Sequence, residues 1–279
     1  MTELAANRYG KQSVRLVRIV RGPVHRVRDL TVAIALEGAF EPAFLQGDNG
    51  PVVATDTMKN TVYAFATEHL NGAIEPFAAV LARHHVGAES VTRATVSIRE
   101  HAWEPLPTAS GPAPDAFRRA GAWTRTAVAT AMAEGVVVTS GVEDLVVMKT
   151  GQSAFSGFPR DEWTTLPETR DRILATKVSA SWRHLDEPAD WDARQATVLD
   201  ALVASFAGHF SESVQQTIWI VANAMLEADP GIDDVSMAMP NLHHWIVDLT
   251  PFGQRSGDIF VATEQPYGLI EATVRRSAG

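Results

Sequence analysis

Hydrophobic and polar residues alternate along Leu30–Glu37: Leu30, Val32, Ile34 and Leu36 fall on one face, Thr31, Ala33 and Ala35 on the other. A period of two marks a strand buried on one side. Ser13–Arg21 reads as a second extended stretch, joined to the first through the turn signal Arg21-Gly22-Pro23. Glu41–Pro51 is expected to be a loop, with Gly47-Asp48-Asn49-Gly50 as its breakers. The period then lengthens. Met58, Val62 and Phe65 mark the inner stripe of a helix predicted over Thr57–Leu70, capped by Thr55 or Asp56 and stopped by Asn71-Gly72. A second helix opens near Glu75-Pro76, where proline suits the first turn, and closes near His85. Val91–Trp103 alternates again. Four prolines and one glycine within Pro105–Pro114 predict a long exposed loop. Trp123–Met132 and Val136–Gly141 predict a hairpin around Glu134-Gly135.

The second half follows the same order. Leu145–Thr150 and Lys177–Trp182 read as strands, with Val178, Ala180 and Trp182 on one face. Trp191–His209 reads as a helix with Val198, Leu202 and Phe206 inward, and Ser213–Ala228 as a helix with Val214, Ile218, Val221 and Met225 inward. Val235–Met239 and His243–Leu249 read as strands. The order strand-strand-helix-helix-strand-strand therefore occurs twice, with the break near Thr139–Glu143. The expectation is two similar α+β modules, residues 9–140 and 141–276. The repeat lies in the order of elements, with little residue identity between the halves.

Composition narrows the chemistry. The chain has 279 residues, 24 basic and 33 acidic, a net charge of −9, with 46% hydrophobic residues. That is globular composition with ample core. The acidic balance argues against nucleic acid and anionic membranes as partners. With no cysteine, disulfides, thiolate catalysis, iron–sulfur clusters and Cys-based zinc sites are excluded. Met1–Gly10 is polar, and no apolar run approaches ~18 residues, so neither a secretory signal nor a membrane span is expected. The ending Ser277-Ala278-Gly279 is not a peroxisomal S-K-L tail. A cytoplasmic location is the expectation.

No dinucleotide, phosphate-loop, zincin or serine-hydrolase motif is present. The pairs His84-His85 and His243-His244 invite a metal reading. Adjacent residues of a strand point to opposite faces, which disfavours chelation by His243 and His244. His84-His85 lies at a helix end, where interaction with the dipole or solvation suffices.

Several segments, taken in order, resemble the urate oxidase (uricase) family. They begin with Tyr9-Gly10-Lys11 and Val27-Arg28-Asp29-Leu30. Ala54-Thr55-Asp56-Thr57-Met58-Lys59-Asn60-Thr61-Val62-Tyr63 is close to the family signature. Phe155-Ser156-Gly157-Phe158, Arg160-Asp161-Glu162-Trp163-Thr164-Thr165-Leu166 and Asp171-Arg172-Ile173-Leu174 follow. Ser213-Val214-Gln215, Pro240-Asn241-Leu242-His243 and Gly268-Leu269-Ile270 complete the set. Pro159 stands where leucine is usual, and Trp163 where tyrosine is usual.

The resemblance implies the tunnelling fold (T-fold): two tandem modules, each an antiparallel sheet with paired helices on one face. It implies a cofactor-free oxidation of urate by O2 and water to 5-hydroxyisourate and H2O2, with no metal or flavin. It also implies a homotetramer with active sites between subunits; the missing peroxisomal tail fits a bacterial, cytoplasmic enzyme. Residue by residue, Arg172 and Gln215 resemble the clamp on the substrate, Val214 a backbone contact and Phe155 the ring that stacks on the purine. Lys11, Thr55 and His243 resemble the proton relay. Asn241, with Thr55, resembles the pair that holds O2 or water, and Asp56 a backbone contact to substrate.

Taken singly, each residue has a plainer reading. Arg172 could pair with Asp171 or Glu168, Gln215 could cap a helix, and Phe155 or His243 could be core. Lys11 could be a solvated charge and Thr55 an N-cap. Two other functions compete: a pterin or purine enzyme of the same fold, disfavoured by Gln215 in place of glutamate and by the missing cysteine, and an inactive assembly protein, disfavoured by the intact Lys11, Thr55 and His243.

Overall fold

The computed structural model describes residues 2–277; Met1 at the polar start and Ala278-Gly279 of the terminal tripeptide lie outside the described residues. The chain forms two compact units, one ending at Gly141 and the other starting at Val142. The first contains β1 (Tyr9–Val20), β2 (Arg26–Gly38), α1 (Glu41–Gln46), α2 (Thr55–His69), α3 (Ile74–Val86), β3 (Val91–Glu100), β4 (Trp103–Thr108), β5 (Gly111–Arg119) and β6 (Thr124–Met132). Strand β7 (Gly135–Lys149) is divided between the units. The second continues with β8 (Leu174–His184), α4 (Trp191–Gly208), α5 (Val214–Ala228), β9 (Ile232–Ile246) and β10 (Phe260–Arg275).

In the first unit the strands run β1-β2-β3-β6-β7, and β1–β2, β2–β3 and β3–β6 pair antiparallel. The alternation at Leu30, Val32, Ile34 and Leu36 is fully buried. Small Ala127, Ala129 and Ala131 give β6 a flat inner face, and α3 packs against β3 and β6 there. Met58, Val62 and Ala66 form the buried stripe of α2, while Phe65 is half-buried beside His84. At the start of α3 the buried Glu75 accepts two hydrogen bonds from Arg125 Nη2 (2.9 and 3.1 Å) and one from Ser140 (2.7 Å). A carboxylate removed from water needs such partners.

In the second unit the order is β7-β8-β9-β10, with β8–β9 and β9–β10 antiparallel. The expected stripes Val198, Leu202, Phe206 on α4 and Val214, Ile218, Val221, Met225 on α5 are all buried, as are Val178, Ala180 and Trp182 of β8. Each such large side chain contributes roughly 1.5–3 kcal/mol of burial. Both units thus carry a sheet with two long helices in the order expected. The architecture is α+β, antiparallel sheet with paired helices in each unit, as expected.

Six local expectations are corrected. Glu41–Gln46 is a short helix, not loop: Pro42 fits its first turn and Gly47, at φ 71°, closes it. Helix α2 starts at Thr55 with Ala54 as N-cap and no side-chain cap, so neither Thr55 nor Asp56 caps it. The proline-rich stretch is the hairpin β4–β5, with Pro107 opposite Pro112. Prolines two residues apart lie on one edge of a strand, where a missing N–H can point away from the partner.

Finally, the strands expected at Val136–Gly141 and Leu145–Thr150 are one strand. It is carried through Asp144, a left-handed residue at φ 63°. Val235–Met239 and the first part of His243–Leu249 likewise join as β9, which ends at Ile246 and leaves residues 247–249 outside any strand. Pro240 interrupted that pattern; its ladder with β8 runs to Thr176–Asn241 and resumes at Ser179–Ala238. Strand β10, broken in sequence by Glu264, Pro266 and Gly268, was missed.

Candidate active site

One cavity of about 330 Å³ in the second unit collects six of the sequence-selected residues: Phe155, Arg172, Val214, Gln215, Asn241 and His243. They come from four segments. Phe155 sits on the connection after β7, where its backbone exchanges hydrogen bonds with Thr169 (2.8 and 3.0 Å). Its ring stacks on Phe158, with centroids 4.9 Å apart and planes 16° from parallel. Arg172 precedes β8, its backbone N–H donating to Ser153 O at 2.9 Å. Its guanidinium carbon lies 5.5 Å from the Phe155 centroid.

Among the described residues Arg172 pairs with no carboxylate. Glu168 instead accepts from the Gly157 N–H at 3.1 Å. The Nε of Arg172 is buried and has no hydrogen-bond partner. Burial pulls its pKa below the ordinary guanidinium value, the sign of a charge held out of water. A group in that state gains from an anion that supplies acceptors in its plane.

Val214 and Gln215 open α5. Ser213 caps this helix by accepting from Gln216 N at 3.1 Å. The N–H groups of Val214 and Gln215 belong to the first turn and have no carbonyl partner within the helix. The positive end of a 15-residue helix therefore lies at the cavity. Gln216, not Gln215, folds back onto the chain through Glu212 N at 2.9 Å.

Asn241 and His243 are two apart on β9, hence on one face. The His243 ring stacks on Trp245, 5.2 Å between centroids and 24° between planes. His244 also lines the cavity, against the expectation of opposite faces. The β9–β10 register slips between Thr263 and Gly268, opposite this stretch, and the ladder that enforces alternation is broken there. Leu166, Pro167, Thr169, Ile173 and Ile270 also line the cavity, all but Thr169 apolar. None of these five was selected from the sequence, though four fall in or beside the quoted segments. Thr169 shows no sequence signal; only its pairing with Phe155 reveals it.

Lys11, Thr55 and Asp56 lie in the first unit and are not among the residues lining that cavity. The structure brings them close to one another. The Tyr9 hydroxyl accepts from Val53 N at 2.8 Å and donates to Val53 O at 3.1 Å, tying the start of β1 to the approach of α2. Ser13, at φ 57°, forms a bulge just after Lys11, which re-aims the strand. Lys11 is half-buried, and Thr55 and Asp56 are exposed in the first turn of α2. Asp56 is held below the ordinary carboxylate pKa by a hydrogen bond from Lys59 and by its charge, with a smaller pull from Lys11. Among the described residues no group of three or more His, Asp or Glu side chains could hold a metal ion. No described helix is long and apolar enough to cross a membrane.

The Uricase family profile matches residues 7–130 and 138–271. The chain is 43% identical to a uricase from Arthrobacter globiformis, over 98% of this chain and 90% of that one. It is 36% identical to a uricase from Dictyostelium discoideum, over 99% of each chain. The crystal structure of the Arthrobacter globiformis uricase superposes with a TM-score of 0.93 at 42% identity, covering 100% of this chain and 96% of that one. A profile spanning both units, two full-length relatives and the superposition agree: this chain belongs to the uricase family.

Proposed function

We propose that the chain oxidises urate with O2 and water to 5-hydroxyisourate and H2O2, and that the second-unit cavity binds the purine. The reading is carried by one observation beside the family membership: Arg172 is half-buried in the cavity wall beside an aromatic ring, with its buried Nε lacking an acceptor. Urate is an anion at neutral pH and a flat heterocycle with paired oxygen and nitrogen acceptors. Arg172 and Gln215 clamp its edge, the amide offering both a donor and an acceptor. The Val214 N–H adds a backbone donor, as does that of Asp56. Phe155 takes the purine face.

The chemistry has a spin problem: triplet O2 reacts slowly with closed-shell molecules. No metal or flavin is invoked, because doubly deprotonated urate is electron-rich enough to give an electron to O2. Lys11, acting through Thr55, removes the proton, and Asn241 with Thr55 holds O2 and then water near the ring. His243 moves protons near neutral pH. Two electrons pass from urate to O2, which leaves as H2O2. Water supplies the oxygen added at C5.

Lys11, Thr55 and Asp56 belong to one unit and Arg172, Gln215, Asn241 and His243 to the other. We place the two sets in different subunits of a homo-oligomer, a tetramer by family resemblance, in the bacterial cytoplasm. The test is to follow urate absorbance and O2 together after exhaustive chelation. Equal consumption of urate and O2, with one H2O2 formed per urate, is expected. Loss of activity on chelation, restored by one ion, would overturn the cofactor-free reading.

A further inference from the structure

Phe155, Arg172 and the Val214-Gln215 pair reach the cavity from three separate segments, yet each is tied within a few bonds to Ser211. Its N–H donates to Gln152 O (3.0 Å) and its carbonyl accepts from Ala154 N (2.7 Å), holding the stretch that leads into Phe155. Ser153, within that stretch and paired with Ser211 as a short parallel bridge, accepts the Arg172 N–H. The Ser211 hydroxyl donates to Ser213 O at 3.2 Å, and Ser213 is the cap from which Val214 and Gln215 start.

Behind Ser211 lies a buried polar chain. The Thr217 hydroxyl donates to Ser211 Oγ at 2.8 Å and shares a 3.0 Å hydrogen bond with His209 Nε2. His209 Nδ1 lies 2.6 Å from Ser205 O. Lys149 Nζ closes the end of α4, donating to Phe206 O at 3.0 Å, Ala207 O at 3.3 Å and His209 O. Ser211 and Thr217 are both fully buried. Polar side chains in such a place are costly unless satisfied, and a satisfied network fixes one arrangement.

We infer that Thr217 and Ser211, backed by His209 and Lys149, are positioning residues that set the spacing of the purine clamp, holding Phe155, Arg172 and Gln215 in register with one another. This rests on the cavity being the purine site. A first set of side chains is only as well placed as the shell that supports it. None of the four lines the cavity, so they act through backbone placement and not by touching substrate.

The test compares Thr217→Val, which keeps the shape and removes the hydroxyl, with Thr217→Ser, which restores it, and with Ser211→Ala. Urate KM and kcat are measured alongside the Kd of xanthine, a purine dione lacking the C8 oxygen of urate, on full-length protein normalised for folded fraction. Thr217→Val and Ser211→Ala are expected to raise urate KM and xanthine Kd together by about tenfold, with kcat within about threefold of the parent; Thr217→Ser stays within about twofold of the parent throughout. Should Thr217→Val not fold, Ser211→Ala carries the same comparison. A lowered melting temperature with unchanged KM and Kd would reduce the network to a fold-stabilising one and overturn the inference. Parent protein that neither oxidises urate nor binds xanthine would instead overturn the assignment of the cavity itself.

Discussion

The Arg172 guanidinium lies 5.5 Å from the centre of the Phe155 ring, and Phe158 stacks on the same ring at 4.9 Å. The cation and the stacking face are thus held as one unit, the edge clamp beside the platform. Removing each should have a different cost. Arg172→Ala removes the charge that would meet an anion in a partly dry site, worth several kcal/mol. Urate KM and xanthine Kd are expected to rise at least 100-fold, read by titration and initial rates. An effect below tenfold would mean that the anion is held elsewhere.

Phe155→Leu keeps an apolar side chain of similar length and removes the flat face. Stacking of aromatic rings contributes about 0.5–1.5 kcal/mol beyond area. Xanthine binding should therefore weaken by about two- to tenfold, with the melting temperature nearly unchanged because Phe155 is only half-buried. A large loss of stability with intact binding would return Phe155 to the core reading.

Lys11→Met separates proton transfer from binding. Lys11 sits beside Asp56 in the first unit and is not part of the cavity that holds the clamp. The substitution should cut kcat by orders of magnitude and leave xanthine Kd within about tenfold. Equal losses in kcat and in binding would refute the division of roles between Lys11 and Arg172.

What could be read from the chain differs between elements for physical reasons. The stripes of α4 and α5 were legible because burial on one helix face writes a 3.6-residue period, and Val198, Leu202, Phe206, Ile218 and Val221 carry it without interruption. Strand β10 was not legible because Phe260, Val261, Tyr267 and Leu269 are exposed and sit among polar residues, so no alternation marks a buried face. The hairpin β4–β5 was hidden by its own prolines. At the site, single residues gave ambiguous signals. Arg172 next to Asp171 reads as a surface ion pair, and only the fold shows it bound to neither acidic neighbour. Thr169, Ser211 and Thr217 carry no motif at all; their importance comes from backbone pairing and burial.

His85 links stability to pH. It is buried at the end of α3, and burial, with the nearby His84 adding to it, lowers its pKa to about 4. Thr61 Oγ donates to Met58 O at 2.7 Å, leaving its lone pair to accept from His85 Nε2 at 3.2 Å. The neutral ring satisfies this arrangement. Between about pH 4 and 6.5 the unfolded chain binds a proton that the folded chain does not. The contribution of His85 is therefore complete above pH 6.5 and is lost as pH falls towards 4. Urea unfolding of wild type and His85→Gln across that window should show a steeper decline in the wild type, by about 1–3 kcal/mol. Parallel curves would mean that His85 takes up its proton as readily in the folded chain as in the unfolded one.

The division of candidate residues between two units leads to the sharpest test of where the site is built. Lys11 and Thr55 lie before Gly141, while Arg172 and Gln215 lie after Val142. If a working site joins the first unit of one chain to the second unit of another, two inactive variants should rescue each other. Thr55→Ala keeps an intact second unit and Arg172→Ala an intact first unit. In a symmetric chain-exchanged pair, a mixed dimer has one site carrying both lesions and one carrying neither. Free mixing makes about half of the dimers mixed, leaving roughly a quarter of all sites intact. Selecting only mixed dimers through two different tags raises this to about half. Each homo-oligomer should be nearly inactive, since every one of its sites carries a lesion. The measurement is urate loss by the doubly purified protein, set against each parent variant at equal chain concentration. Mixed oligomers no more active than either parent would mean that Thr55 and Arg172 of the same chain serve one site, and the assignment of Lys11 and Thr55 to a neighbouring subunit would fall.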